Sequence, residues 1–183
     1  FCYGAMDAAI PGATLSTLLW ALGAVLISLA VALDFKSAIV SGVIVGMIDI
    51  ELVALMTIWD IKLAGPSFVC LVMSVGLSVD YCVHICHGYI HGGGGSPVEK
   101  MEAGIKMMGG AVLKGASTTF LGVLVLSGAS STIFRMFFKL LFGTVLCGVI
   151  HGLFLAPILL MALDTGLRKM GIGGGDAHKV AGH

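Results

Sequence analysis

Hydrophobic positions dominate this chain in long runs, and polar residues break them at short intervals. Five runs are long enough to cross a bilayer as helices, at about 14–33, 37–58, 67–90, 109–126 and 133–163. A hydrocarbon core about 30 Å thick needs about 20 apolar residues in helix. The links between the runs are short, so consecutive helices are expected to be antiparallel neighbours in one bundle. The longest polar stretch, about 91–108, opens with HGGGGSP and continues into Glu99, Lys100, Glu102 and Lys106. It predicts a glycine-rich loop followed by a short amphipathic helix lying on the membrane surface. Residues 1–13 read as a lumenal or extracellular lead-in, and residues 164–183 as a tail without apolar periodicity.

Composition carries the same message. With 58% hydrophobic and 11% charged residues and a mean hydropathy of +1.07, the chain lacks the polar surface of a water-soluble globule. The fold class expected is an all-α membrane bundle of five transmembrane helices. Lys+Arg and Asp+Glu both number 10, so net charge points to no nucleic-acid partner. Charge position is more informative. If Lys36, Lys100, Lys106, Lys114, Arg168, Lys169 and Lys179 are cytoplasmic, Lys62, Arg135 and Lys139 fall on the opposite side. That distribution predicts a cytoplasmic C-terminus.

The candidate chemistry lies where polar side chains enter the apolar runs. Asp80 falls near the middle of the third segment and Asp49 near the middle of the second, with Glu51 two residues further on. A charge at that depth costs about 3 kcal/mol or more, so each such group needs a partner or a purpose. Antiparallel packing of the second and third segments would bring Asp49 and Asp80 close. Asp80, His84, His87 and His91 follow i, i+4, i+7 and i+11 spacing, which makes one polar stripe along a helix. A carboxyl followed by imidazoles that titrate near neutrality can take up and release protons. An Asp80–His84 hydrogen bond serving structure alone is the competing reading, and His87 and His91 also suit interfacial anchoring.

Asp49 and Glu51 project from different faces, one into the bundle and one toward a local partner, with structural and relay roles both open. His151, between Gly148 and Gly152, reads first as a packing residue and second as a further relay member. The pairs Gly42 with Gly46 and Gly148 with Gly152 have the spacing of close helix contacts, and Gly76 would admit another helix beside Asp80. Arg135 and Lys139, one turn apart, read as interface anchors. Pro157 predicts a kink in the last helix.

The histidines with Cys82 and Cys86 include enough ligand types for zinc or haem, but their spacing matches neither kind of site and Cys82 faces away from the stripe. No metal ligand and no catalytic residue is assigned, and no enzyme is expected. No cofactor is called for beyond a coupling cation, a proton first and sodium second.

Several stretches resemble one family. LVMSVGLSVDYCVHICHGY is similar to the tenth transmembrane helix of the Patched, Dispatched and Niemann-Pick type C proteins of the resistance-nodulation-division superfamily. There an acid follows a glycine by four positions, as Asp80 follows Gly76, and a histidine often follows one turn later, as His84 does. STIFRMFFKLLFGTVLCGVIHGLFLAPILL resembles the family's final helix, GAVLKGASTTFLGVLVL the penultimate one and IWDIKLAGPSF a lumenal link.

The resemblance implies that the chain is the last five helices of a second six-helix repeat. The first repeat and the ectodomains of the same protein would be its partners, together with membrane lipids and a sterol or other hydrophobic ligand. It also implies cation-coupled sterol or lipid movement, with Asp80 as the coupling acid and His84 as its partner. The alternative is a sterol-binding receptor or regulatory module without net transport. A cytoplasmic C-terminus fits the family topology, whereas plasma and endosomal or lysosomal membranes are not distinguished. The resemblance assigns no role to Asp49 or Glu51.

Overall fold

The computed structural model describes residues 2–93 and 96–169, and every element among them is helical. α1 spans Cys2–Ala32, α2 Phe35–Ile58, α3 Gly65–His91, α4 Pro97–Leu124, α5 Thr132–Ile150 and α6 Ala156–Lys169. A π-helical turn, His151–Leu155, joins α5 to α6, so the last two helices form one interrupted rod. Five spans within these elements are long and apolar enough to cross a membrane. Helices suit that environment because each satisfies its backbone groups internally.

Helix starts follow local sequence. Pro66 and Pro97 each occupy the first turn of their helix, where the missing N–H costs nothing. Ser96 Oγ accepts from the Glu99 amide at 3.2 Å while the Ser96 amide donates to the Glu99 carboxylate at 3.4 Å, a reciprocal cap for α4. α2 ends at Ile58 with Trp59 as its cap, and the following Asp60 has a left-handed φ of 51°. The Ile61 amide then donates back to the Met56 carbonyl at 2.9 Å, and the Asp60 amide to Thr57 at 3.3 Å. Those two bonds form a Schellman end, and aspartate tolerates its left-handed position better than most residues.

α3 is the centre of the bundle and touches α1, α2, α4, α5 and α6. Its buried side packs Leu71, Cys82 and Ile85 against Ile44, Ile48 and Leu52 of α2 and against Leu140 and Val145 of α5. Between apolar helices in lipid, such contacts act through close packing. α3 and α4 approach backbone to backbone at Gly88 and Gly104, where a β-carbon on Gly88 would fall 2.8 Å from the Gly104 carbonyl oxygen.

That approach corrects one expected boundary. The amphipathic stretch from Pro97 to Met108 is not a separate surface helix, because α4 runs unbroken from Pro97 to Leu124. Gly104 pins this amphipathic part against α3, and 28 residues in helix extend about 42 Å, more than a hydrocarbon core requires. α1 begins at Cys2, so helix runs through the expected lead-in, where alanines 5, 8, 9 and 13 favour it, while its apolar span, Gly12–Val31, matches the first expected segment. Of the expected tail, residues 164–169 belong to α6 and the remainder lies outside the described residues, as do Phe1, Gly94 and Gly95.

Proline is accommodated without ending the last rod. Pro157 lacks the amide that would continue the i to i−4 ladder, and the π turn lies immediately before it. His151 opens that turn, so a histidine stands where the backbone departs from regular helix.

Candidate functional site

Among the described residues, no element covers one stripe of α3. Val69, Met73, Gly76, Asp80, His84, His87 and His91 are exposed in sequence steps of three and four, which keeps them on one line along the helix. Residues on either side of the line are buried or half-buried. Asp80 lies fifteen residues after Gly65 and eleven before His91, about 23 Å and about 17 Å from the two helix ends. The carboxyl therefore occupies the middle of a span, on a face turned away from the other four spans.

The stripe changes character along its length. Val69 and Met73 are apolar, and a β-carbon on Gly76 would meet nothing within 4 Å. From Asp80 onward the line is polar. His87 and His91 stack with ring centroids 4.1 Å apart, and His91 Nδ1 is 3.0 Å from the His87 carbonyl oxygen. Among the described residues, Asp80 and His84 make no hydrogen bond or ion pair with each other or with another side chain. The stripe is thus an ordered row of titratable groups available to something outside this bundle.

Asp49 does not join it. Its carboxyl oxygen lies 3.2 Å from Ser74 Oγ in the buried α2–α3 contact, and the single Ser74 hydroxyl hydrogen is shared with the Leu71 carbonyl oxygen at 2.6 Å. Ser74 and Asp80 are six residues apart, which turns them about 120° from each other around α3. The expected approach of Asp49 to Asp80 is therefore replaced by a contact with a serine about 1.7 turns away.

Glu51 corrects a second expectation, since its partner is distant in sequence rather than local. Glu51 Oε1 lies 3.1 Å from His151 Nε2, and His151 Nδ1 lies 2.8 Å from the Cys147 carbonyl oxygen. The Cys147 thiol is beside the same carboxyl. The pair straps α2 to the π turn, so His151 is held at both ring nitrogens.

Glycines place the π turn against the stripe's own helix. A β-carbon on Gly148 would fall 2.5 Å from Tyr81 Cδ2, and one on Gly152 would fall 3.0 Å from Tyr81 Cβ and 3.1 Å from its carbonyl oxygen. Tyr81 adjoins Asp80, so the same turn that holds His151 fixes the residue next to the exposed carboxyl. Gly42 performs a similar service for α1, where its β-carbon would strike the tip of Leu26, while Gly46 has only a loose 4.0 Å neighbour in Leu22.

Cys82 and Cys86 point into the core, and Cys86 Sγ lies 3.2 Å from Ser41 Oγ. The helix therefore separates these thiols from the histidines of the stripe. Nothing local to Ser41 or Cys86 announces their contact, because both look like ordinary small core residues.

A bundle of five apolar spans, with a carboxyl at mid-span on an open seam, defines an integral multi-pass membrane protein. No family model matches the chain. It is, however, 34% identical over 151 residues to a Niemann-Pick type C1-related protein of Toxoplasma gondii, covering 82% of this chain and 13% of that protein. To NPC intracellular cholesterol transporter 1 of Sus scrofa it is 35% identical over 138 residues, covering 74% and 11%. Protein patched homolog 1 of Danio rerio is 37% identical over 118 residues, covering 64% and 10%. The chain belongs to the Patched and Niemann-Pick type C family of the resistance-nodulation-division superfamily. It spans 10–13% of the length of these three relatives.

Proposed function

We propose that this chain is the ion-responsive part of a membrane protein that moves sterol or another apolar lipid. The observation that carries the reading is the open stripe of α3, with Asp80 at mid-span and His84 one turn further on. A carboxyl at that depth is costly unless another group or an ion meets it. The occupant proposed is a second helix bundle of the same protein, seated on the line from Val69 to His91. Gaining or losing a cation at Asp80 would change the charge in that seam and shift its packing.

A proton is the coupling ion best suited to the row, because three imidazoles follow Asp80 toward the helix end. The cation distribution supports a cytoplasmic C-terminus, which makes His91 the cytoplasmic end of the row. Sterol is the cargo class suggested by the relatives named as cholesterol transporters. The mechanism requires neither a catalytic group nor a resident metal; Glu51 and His151 support it by holding the π turn behind Tyr81.

The test is sterol movement by the full-length protein reconstituted in vesicles, under an imposed proton gradient or an imposed sodium gradient. The proton gradient is expected to change the rate and the sodium gradient to leave it unchanged. Movement indifferent to both gradients would remove ion coupling, and saturable sterol binding without movement would establish the regulatory alternative.

A further inference from the structure

The three cations expected opposite the cytoplasmic side converge on one cleft. Lys62 in the α2–α3 link, and Arg135 and Lys139 one turn apart on α5, line a depression of about 580 Å³ together with Trp59, Ile61 and Met136. All three cations are exposed, and among the described residues none forms an ion pair with a carboxylate. Arg135 donates to the Ser130 carbonyl at 3.2 Å, which leaves its remaining guanidinium hydrogens open. Asp60 also lines the cleft. Three cations against one carboxylate leave a surplus of two positive charges.

Depth and wall chemistry narrow the ligand. α2 ends at Ile58, α3 begins at Gly65 and α5 begins at Thr132, so the cleft lies at the ends of three spans, at headgroup level. Ser131 makes no side-chain cap on α5, and the first-turn amides add to the positive field there. A free inorganic anion would use the cations but not the apolar wall. An amphiphile would use both.

We infer that this cleft binds the phosphate-bearing headgroup of an anionic phospholipid in the surrounding leaflet, with Lys62, Arg135 and Lys139 around the phosphate and the acyl chain along Met136 and Ile133. The contact is electrostatic, and each cation at a membrane surface is worth a several-fold gain in lipid affinity. Asp60 opposes the headgroup.

The experiment titrates the detergent-purified full-length protein with phosphatidylglycerol, phosphatidylcholine or inorganic phosphate, and counts bound molecules by native mass spectrometry. Phosphatidylglycerol is expected to bind about ten-fold or more tighter than phosphatidylcholine, with inorganic phosphate a poor competitor. Joint replacement Lys62→Gln and Lys139→Gln should abolish the preference, whereas Lys62→Arg should retain it. Asp60→Asn, which keeps a side chain tolerant of left-handed φ, should strengthen it. The same double substitution with the preference intact overturns the site. Equal binding of both lipids by the unsubstituted protein does so too, indicating that the cations are engaged by the rest of the protein. Full displacement by inorganic phosphate identifies a free-anion site instead and likewise overturns it.

Discussion

Tyr81 lies in a notch cut by Gly148, so close that a β-carbon on that glycine would come within 2.5 Å of the ring. Gly152, one turn later, backs the Tyr81 carbonyl in the same way. Adjacent residues on a helix are about 100° apart, so seating Tyr81 inward turns Asp80 outward. The orientation of the exposed carboxyl is set from the far side of its own helix.

Gly148→Ala should therefore push α3 away from the π turn, at a cost of about 1–3 kcal/mol typical of overpacking. Gly76→Ala supplies the contrast, because its β-carbon enters open space within this bundle. Thermal melting of the full-length protein checks both. A lower midpoint for Gly148→Ala is expected; for Gly76→Ala any loss reports a helix seated on the open stripe.

Two serines one turn apart on α3 should respond in opposite senses. Ser74 Oγ shares its hydrogen between the buried Asp49 carboxylate and the Leu71 carbonyl, and Ser74→Ala removes the hydroxyl from beside a buried acid at a cost of about 1 kcal/mol. Among the described residues, Ser78 Oγ is buried without a hydrogen-bond partner. Ser78→Ala relieves an unsatisfied hydroxyl and should leave stability unchanged or raised. Comparing the two variants by resistance to denaturant is the measurement.

The Glu51–His151 contact joins residues a hundred positions apart, and its side chains are 41% and 13% exposed. Partial exposure limits the coupling to about 0.5–1 kcal/mol. A double-mutant cycle with Glu51→Ala and His151→Phe should return a value in that range. Additive effects would show that the two residues act independently.

Much of the bundle was legible because membrane helices announce themselves by length and composition. The stripe was legible too, since the spacing of Asp80, His84, His87 and His91 needs only helical periodicity. Gly148 and Gly152 were readable as contact residues, but not that Tyr81 fills their notch. Partners across the bundle were hidden for the same reason: nothing local to Asp49 or Glu51 tells which helix face turns toward Ser74 or His151. The continuity of α4 was missed because its amphipathic start resembles a surface helix until Gly104 meets Gly88. Lys62, Arg135 and Lys139 were assigned to one side by charge, whereas their common cleft depends on how α5 starts beside the α2–α3 link.

Position along the stripe should grade the effect of histidine substitutions. His84→Gln removes the imidazole one turn from Asp80 and should depress ion-dependent sterol movement severalfold. His87→Gln alters a ring stacked on His91 nearer the helix end, and should have a much smaller effect. Equal losses measured in the same vesicle assay would mean that the whole row acts as one relay.

The most direct measurement is sterol movement by the full-length protein carrying Asp80→Asn, which keeps the shape of the side chain and removes its titration. Membrane insertion and folding are expected to persist while dependence on the proton gradient disappears. Gradient-dependent movement at the unsubstituted rate would contradict the role given to Asp80.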